Sequence, residues 1–188
     1  IASFHRFIWS IFSQKEHFKP EELMRFFMGA LDNPQIHVLG HPTKSSSKMV
    51  GNLKPGDYSL VIEKMTAKGI AYEVPILHDL SGEQEELTRG AIGICGELGT
   101  PILLSTDFHH LKDLDFLGNV DGIPTEVGES GIEPLFGSNQ NTHYRTFRRL
   151  IRNVDVLRNL GINEEQVVNS TDQRFDDWLN ALKSLPSQ

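Results

Sequence analysis

The sequence predicts an α/β protein whose strands are mostly parallel, in a sheet or a barrel. Short apolar segments alternate with amphipathic helical segments in the order strand, helix, strand, helix, strand. Gly69 and Gly99 each follow a helical pattern and stand shortly before an apolar segment, as expected of a helix end. The 188 residues, 38% of them hydrophobic, are enough for a single globular domain with a substantial core.

Each predicted strand is an apolar run followed by a turn signal or a polar residue, and the four strands cover residues 1–4, 36–39, 70–74 and 101–105. The first helix begins at Pro20, which suits a first helical position, and ends at Asn33-Pro34. Ser81 is a candidate cap for a helix that runs to Leu98. The other predicted helices cover residues 58–68, 142–160 and 172–185. Residues 118–141 form a long loop of the kind that is often functional.

Composition excludes some classes of protein. The net charge of −7 argues against broad nonspecific binding of nucleic acid, although a locally basic cleft stays open. No apolar run approaches the roughly 18 residues that span a bilayer, so no membrane partner is predicted. Cys95 is the single cysteine and lies in an apolar stretch, which predicts a buried thiol. A chain without a disulfide pair suits a reducing, cytoplasmic compartment.

Metal-ligating residue types follow three of the predicted strands. His5 follows the first strand, His41 follows the second, and Asp107 and His109 follow the fourth. The carboxyl ends of strands in a parallel barrel open onto one face, so these side chains can converge. Imidazole and carboxylate groups suit zinc, manganese or iron. A single histidine after a strand is more often a surface residue, so spacing alone leaves the metal site open.

The same segments carry a resemblance to a known family, because their order and intervals match its motifs. They are similar to the I-A-S-V-H, I-L-G-H-P-T, L-E-I-N and I-S-T-D-A-H segments of the PHP (polymerase and histidinol phosphatase) family, and to the last turn of PHP domains in bacterial family X DNA polymerases. The matching segments here are Ile1-Ala2-Ser3-Phe4-His5, Val38-Leu39-Gly40-His41-Pro42-Thr43, Ala71-Tyr72-Glu73, Leu104-Ser105-Thr106-Asp107-Phe108-His109 and Val167-Val168-Asn169-Ser170.

The resemblance implies a function as well as a fold. It implies the C-terminal portion of a distorted (β/α)₇ TIM-like barrel that acts as a metal-dependent phosphatase or 3′-to-5′ exonuclease. His5, His41, Asp107 and His109 would be metal ligands, and Asp107 and His109 would also be catalytic. A metal-bound hydroxide would attack the phosphoester, which could be a nucleic-acid 3′ end. A polymerase domain upstream would make the whole a repair protein.

Departures from the family pattern leave alternatives open. The opening His-x-His strand of the family has no counterpart here, so residues 1–188 are interpreted as the C-terminal part of one domain, weak or inactive alone. Val74 replaces the Asn of L-E-I-N, and Lys44 follows the G-H-P-T segment where the family often has Gly. One alternative is a non-enzymatic structural or interaction module with a decayed metal site. Another is a hydrolase of carbon–nitrogen bonds, against which the G-H-P-T match argues.

Four further residues are candidates to contact the metal ligands or the substrate. His17 lies in the loop after His5 and could touch substrate, and His78 could line the mouth of the site. His110 adjoins His109 and is equally well an exposed neighbour. Glu73 lies in a strand and could hydrogen-bond a ligand, with a structural role as the alternative.

Overall fold

The structure is a computed structural model that describes residues 19–43, 53–76, 80–81, 85–105 and 142–184, with side chains in the last range from residue 148. Two short 3₁₀ helices, Pro55–Tyr58 and Glu164–Gln166, accompany the main elements. The strands are β1 (Val38–Leu39), β2 (Ala71–Pro75) and β3 (Ile102–Ser105). The helices are α1 (Pro20–Ala30), α2 (Ser59–Lys68), α3 (Glu86–Leu98), α4 (Thr142–Asn159) and α5 (Asp172–Ser184).

The three strands form a parallel sheet in the order β1-β2-β3. Helix α2 connects β1 to β2 and helix α3 connects β2 to β3, so the chain makes two successive βαβ units and the predicted α/β class is confirmed. Val167 adds a parallel bridge to Ile102 of β3. No helix of the described segments is long and apolar enough to cross a membrane.

Local signals set the helix ends. Pro20 occupies the first turn of α1, and the backbone N–H of Lys19 donates to Glu22 Oε2 at 3.2 Å. At the other end, Lys64 Nζ of α2 donates to the carbonyl oxygen of Met28 at 3.0 Å, which fixes α1 against α2. Helices α2 and α3 end at Gly69 and Gly99, whose φ angles of +66° and +69° favour glycine.

The sheet has an apolar layer on each face. Tyr72 and Val74 of β2 pack into the larger core, which lies on the side of α2 and α3. Ala71, on the opposite face, packs in a smaller cluster with Val38, Leu103, Val168 and, from α5, Phe175 and Trp178. Because side chains alternate along a strand, Glu73 lies on the face of Ala71. The two faces of β2 therefore differ. Tyr72 lies on the side of α2 and α3, which is called the helix side below, and Glu73 lies on the opposite side.

Most predicted elements occur within one or two residues of their expected bounds. Helix α1 ends at Ala30, before the predicted end at Asn33-Pro34, and one helix begins later than predicted. The predicted cap at Ser81 is wrong, because α3 begins at Glu86. Leu80 and Ser81 instead contact helix α4. Asn153 Oδ1 accepts a hydrogen bond from the Leu80 N–H at 3.1 Å, and Arg152 Nη1 donates to Ser81 Oγ at 3.4 Å. The predicted strand 1–4 and loop 118–141 lie outside the described residues.

Candidate functional site

His41 follows β1 in an unusual backbone conformation. Its φ angle is +24°, in the region that L residues rarely adopt, and Pro42 restricts the preceding backbone further. Such a conformation costs about 1–3 kcal/mol and persists only where neighbouring contacts enforce it. Neighbouring contacts must therefore hold His41 in this conformation.

Glu73 of β2 contacts the His41 ring. The distance from Nδ1 to Glu73 Oε2 is 3.0 Å, and the two residues are 8% and 9% exposed. An ionised carboxylate only accepts hydrogen bonds, so this contact assigns a proton to Nδ1, and a neutral ring with that proton has its lone pair on Nε2. Nε2 is buried as well. Histidines that bind a metal usually donate their other ring N–H to a carboxylate, a carbonyl or a water molecule in this way.

A small pocket opens at the end of β2 and has room for about one water-sized group. Glu85 supplies a second carboxylate to its lining. The residues that line the pocket are His41, Thr43, Tyr72, Glu73, Pro75, Leu80, Glu85 and Thr88. Among the residues with described positions, no three His, Cys, Asp or Glu side chains are arranged to hold a metal ion. A nitrogen donor and carboxylates nevertheless share this pocket.

The carboxyl end of β3 is fixed by the side chain of Asn169, which lies shortly before α5. Asn169 Oδ1 accepts from the Leu104 N–H at 3.0 Å, and Asn169 Nδ2 donates to the Leu104 carbonyl at 2.8 Å. Ser105 follows, and its buried Oγ makes no hydrogen bond with the described residues. Since Glu73 pairs with Leu103 and Pro75 with Ser105, the Ser105 side chain lies on the same face as Glu73. A polar atom that lacks a described partner therefore lies on the His41 side of the sheet, which fits a site for a polar or charged group.

The structure brings together two of the predicted site residues, His41 and Glu73. Glu73 was expected either to hydrogen-bond a ligand or to have a structural role. Its Oε2 contacts His41 Nδ1, and the role of His41 as a metal ligand stays a prediction. The other predicted site residues lie outside the described ranges and are His5, His17, His78, Asp107, His109 and His110.

Three hydroxyl groups near His41 were not singled out by the sequence. Thr43 Oγ1 lies 3.1 Å from the Tyr72 hydroxyl and 3.0 Å from Thr88 Oγ1. Burial raises the pKa of the Tyr72 phenol well above its ordinary value, so this hydroxyl keeps its proton. Thr43 and Tyr72 lie within motif segments of the sequence, G-H-P-T and Ala71-Tyr72-Glu73, whereas Thr88 of α3 had no such signal.

Comparisons with protein-family models, with curated proteins and with solved structures find no match to this chain. The resemblance to the PHP family therefore stays a prediction from the motifs.

Proposed function

We propose that this chain is part of a metal-dependent phosphoesterase domain of the PHP type. The observation that carries the proposal is the buried pair of His41 and Glu73 just past the end of β1. Active sites of parallel α/β proteins lie at the carboxyl ends of the strands. An ordinary surface histidine would need neither a buried carboxylate partner nor a strained backbone.

The sheet topology supports the proposal of a partial barrel. The strand order in space equals the order in sequence, and helices α2 and α3 pack against each other. The bridge between Ile102 and Val167 continues this order by one further position. Sequential addition of parallel strands with adjacent helices is how a (β/α) barrel is built, and the proposed domain is a distorted (β/α)₇ barrel.

The chemistry follows from the side chains that would meet at this face. His41 Nε2 would bind a zinc, manganese or iron ion together with His5, Asp107 and His109. The metal, when bound, would lower the pKa of a water molecule and neutralise charge on the phosphoryl group. Glu73 Oε2 accepts from His41 Nδ1, which fixes the orientation of the ring and would leave Nε2 for the metal.

The experiment uses the complete protein and measures hydrolysis of p-nitrophenyl phosphate, or of a DNA 3′ end, with and without added manganese. We expect His41→Ala and Asp107→Ala each to lower the metal-dependent rate by at least about 100-fold, as the loss of a group that acts on the transition state would. His37→Ala is the matched control, because His37 is half-buried directly before β1 and should leave the rate nearly unchanged. Wild-type rates in both His41→Ala and Asp107→Ala would refute the proposal.

A second candidate function is a structural or interaction module of a polymerase-containing protein. Val74 favours it, because this residue stands where the family motif has Asn and is fully buried in the core on the helix side. That position contributes packing and no polar group. Metal analysis of the complete protein separates the two candidates: bound zinc, manganese or iron supports the phosphoesterase, and a metal-free protein supports the module.

A further inference from the structure

We propose that a hydroxyl cluster, formed by Thr43, Tyr72 and Thr88, positions the turn Gly40-His41-Pro42 so that the His41 ring meets Glu73. Thr43, which makes both hydrogen bonds of the cluster, is then a positioning residue for the site. The use of His41 as a metal ligand rests on the proposed function. The positioning of the ring is a separate property and can be measured without metal.

The cluster joins three elements of the fold. Thr43 lies in the helical pair Pro42 and Thr43 that follows His41, Tyr72 lies in β2 and Thr88 in α3. The three residues are 1%, 1% and 7% exposed. Thr43 Oγ1 lies 3.1 Å from the Tyr72 hydroxyl and 3.0 Å from Thr88 Oγ1. A hydroxyl donates once and accepts as well, so Thr43 can serve both partners at the same time.

The backbone of the turn explains why such contacts are needed. His41 has a φ angle of +24° and precedes a proline, a combination that the free chain avoids. The two residues that follow His41 are both tied down: the Tyr58 hydroxyl donates to the Pro42 carbonyl at 3.4 Å, and Thr43 is held by the cluster. These contacts oppose the relaxation of His41 into an ordinary conformation.

Strand β2 holds the turn from both of its faces. Tyr72 and Glu73 are consecutive, so their side chains lie on opposite faces of the sheet. Tyr72 contacts Thr43 on the helix side, and Glu73 contacts the His41 ring on the other side. Tyr72 therefore fixes the backbone after β1 through Thr43, and Glu73 fixes the His41 ring.

Packing alone does not account for the hydroxyl groups. Valine has almost the shape of threonine, and a buried apolar group avoids the cost of removing a hydroxyl from water. The neighbouring core positions Leu39, Ile62 and Ile92 are apolar and fully buried. Polar groups at three adjoining positions fit a directional contact, because hydrogen bonds fix an orientation that apolar packing leaves less constrained.

The test compares Thr43→Val with Thr43→Ser in the complete protein. Thr43→Val removes the hydroxyl and keeps the shape, whereas Thr43→Ser keeps the hydroxyl. Thr100→Val is the matched control, because Thr66 Oγ1 and Thr100 Oγ1 form a similar pair at 2.6 Å near the amino end of β3. Three quantities are measured: amide hydrogen exchange of Gly40, His41 and Thr43, the imidazole nitrogen shifts of His41 at one pH, and the dissociation constant for zinc.

We expect Thr43→Val to speed exchange in the turn by about tenfold and to alter the His41 nitrogen shifts. Zinc binding should weaken by about 10-fold or more, the usual effect of losing a group that orients a ligand. Thr43→Ser should restore all three quantities to near wild-type values. Thr100→Val should lower the melting temperature without changing the turn.

Unchanged exchange and unchanged nitrogen shifts in Thr43→Val would overturn the proposal. If Thr43→Val does not fold, Thr88→Val removes the second hydrogen bond of the cluster and is judged by the same measurements. If exchange and shifts change as expected but the wild-type protein binds no metal, the positioning of His41 is supported and the proposed function fails.

Discussion

The hydrogen bond between Glu73 and His41 can be tested through stability and metal binding together. Glu73→Met removes the acceptor and keeps a side chain of similar length, while Glu73→Gln keeps an amide oxygen that can accept from Nδ1–H. Glu85→Gln is the control, because Glu85 lines the same pocket and has no described hydrogen bond to His41. The comparison separates the loss of this contact from a change of charge in the pocket.

The geometry gives the expected size of the effect. The bond is 3.0 Å long and both side chains are about nine-tenths buried, so Glu73→Met leaves the Nδ1–H group of His41 buried without its carboxylate. Loss of such a partner costs about 1–3 kcal/mol of unfolding free energy. For a chain of 188 residues, this corresponds to a fall in Tm of about 2–12 °C. Glu73→Gln should cost less than about 1 kcal/mol because an acceptor remains.

The assays are urea denaturation of the metal-free protein at pH 7 and zinc titration of the same samples. Glu73→Met should weaken zinc binding by about 10–100-fold, Glu73→Gln by less, and Glu85→Gln should leave it near wild type. A Glu73→Met variant with the wild-type unfolding free energy would show that the contact does not stabilise the turn. If the wild-type protein binds zinc and Glu73→Met binds it with the same affinity, zinc binding by His41 does not depend on Glu73.

Two further predictions concern helix α3. A Cβ at Gly96 would lie 2.5 Å from the Leu160 carbonyl oxygen, so Gly96→Ala should lose about 1–3 kcal/mol in urea denaturation. Gly93→Ala meets only Leu160 Cδ2 at 4.0 Å and should gain up to about 1 kcal/mol from helix propensity; equal effects would contradict the close approach. Burial raises the pKa of Cys95 to about 12. The thiol of the unfolded chain loses its proton near pH 9, so below that pH the buried thiol makes its full contribution to the free energy of unfolding. The free energy of unfolding should fall by up to about 1.4 kcal/mol per pH unit above pH 9. Cys95→Ala should flatten this slope between pH 9 and 10, and a wild-type slope in that variant would refute the assignment.

Elements with a local signal could be predicted from the sequence. Helices α2 and α3 end where Gly69 and Gly99 predict their ends, because a single residue with positive φ is enough to stop a helix. Strand β1 is shorter than predicted, with only Val38–Leu39 in the ladder. The start of α3 was missed, and Leu80 and Ser81 bind α4 residues about 70 positions away, contacts that leave no local pattern in the sequence.

The candidate site likewise combines features with a local signal and features set by distant contacts. His41 could be named as a candidate site residue from its place after a strand and from the motif around it. Its strained backbone and the contacts of Thr43 with Tyr72 and Thr88 could not, because these partners are 29 and 45 residues away and leave no periodic pattern in the sequence. Glu73 was predicted either to hydrogen-bond a ligand or to be structural, and the sheet register brings it to His41, a partner that the sequence could not name.

The alternation of Tyr72 and Glu73 along β2 has a consequence for errors in strand pairing. Val38 pairs with Ala71 in the native register. A slip of β2 by one residue would turn the phenol toward the face of the sheet that now carries the carboxylate, and the carboxylate into the apolar core. Neither contact with the turn after β1 could then form. Only a correctly aligned sheet can assemble the site, so a misaligned chain is both less stable and unable to complete it.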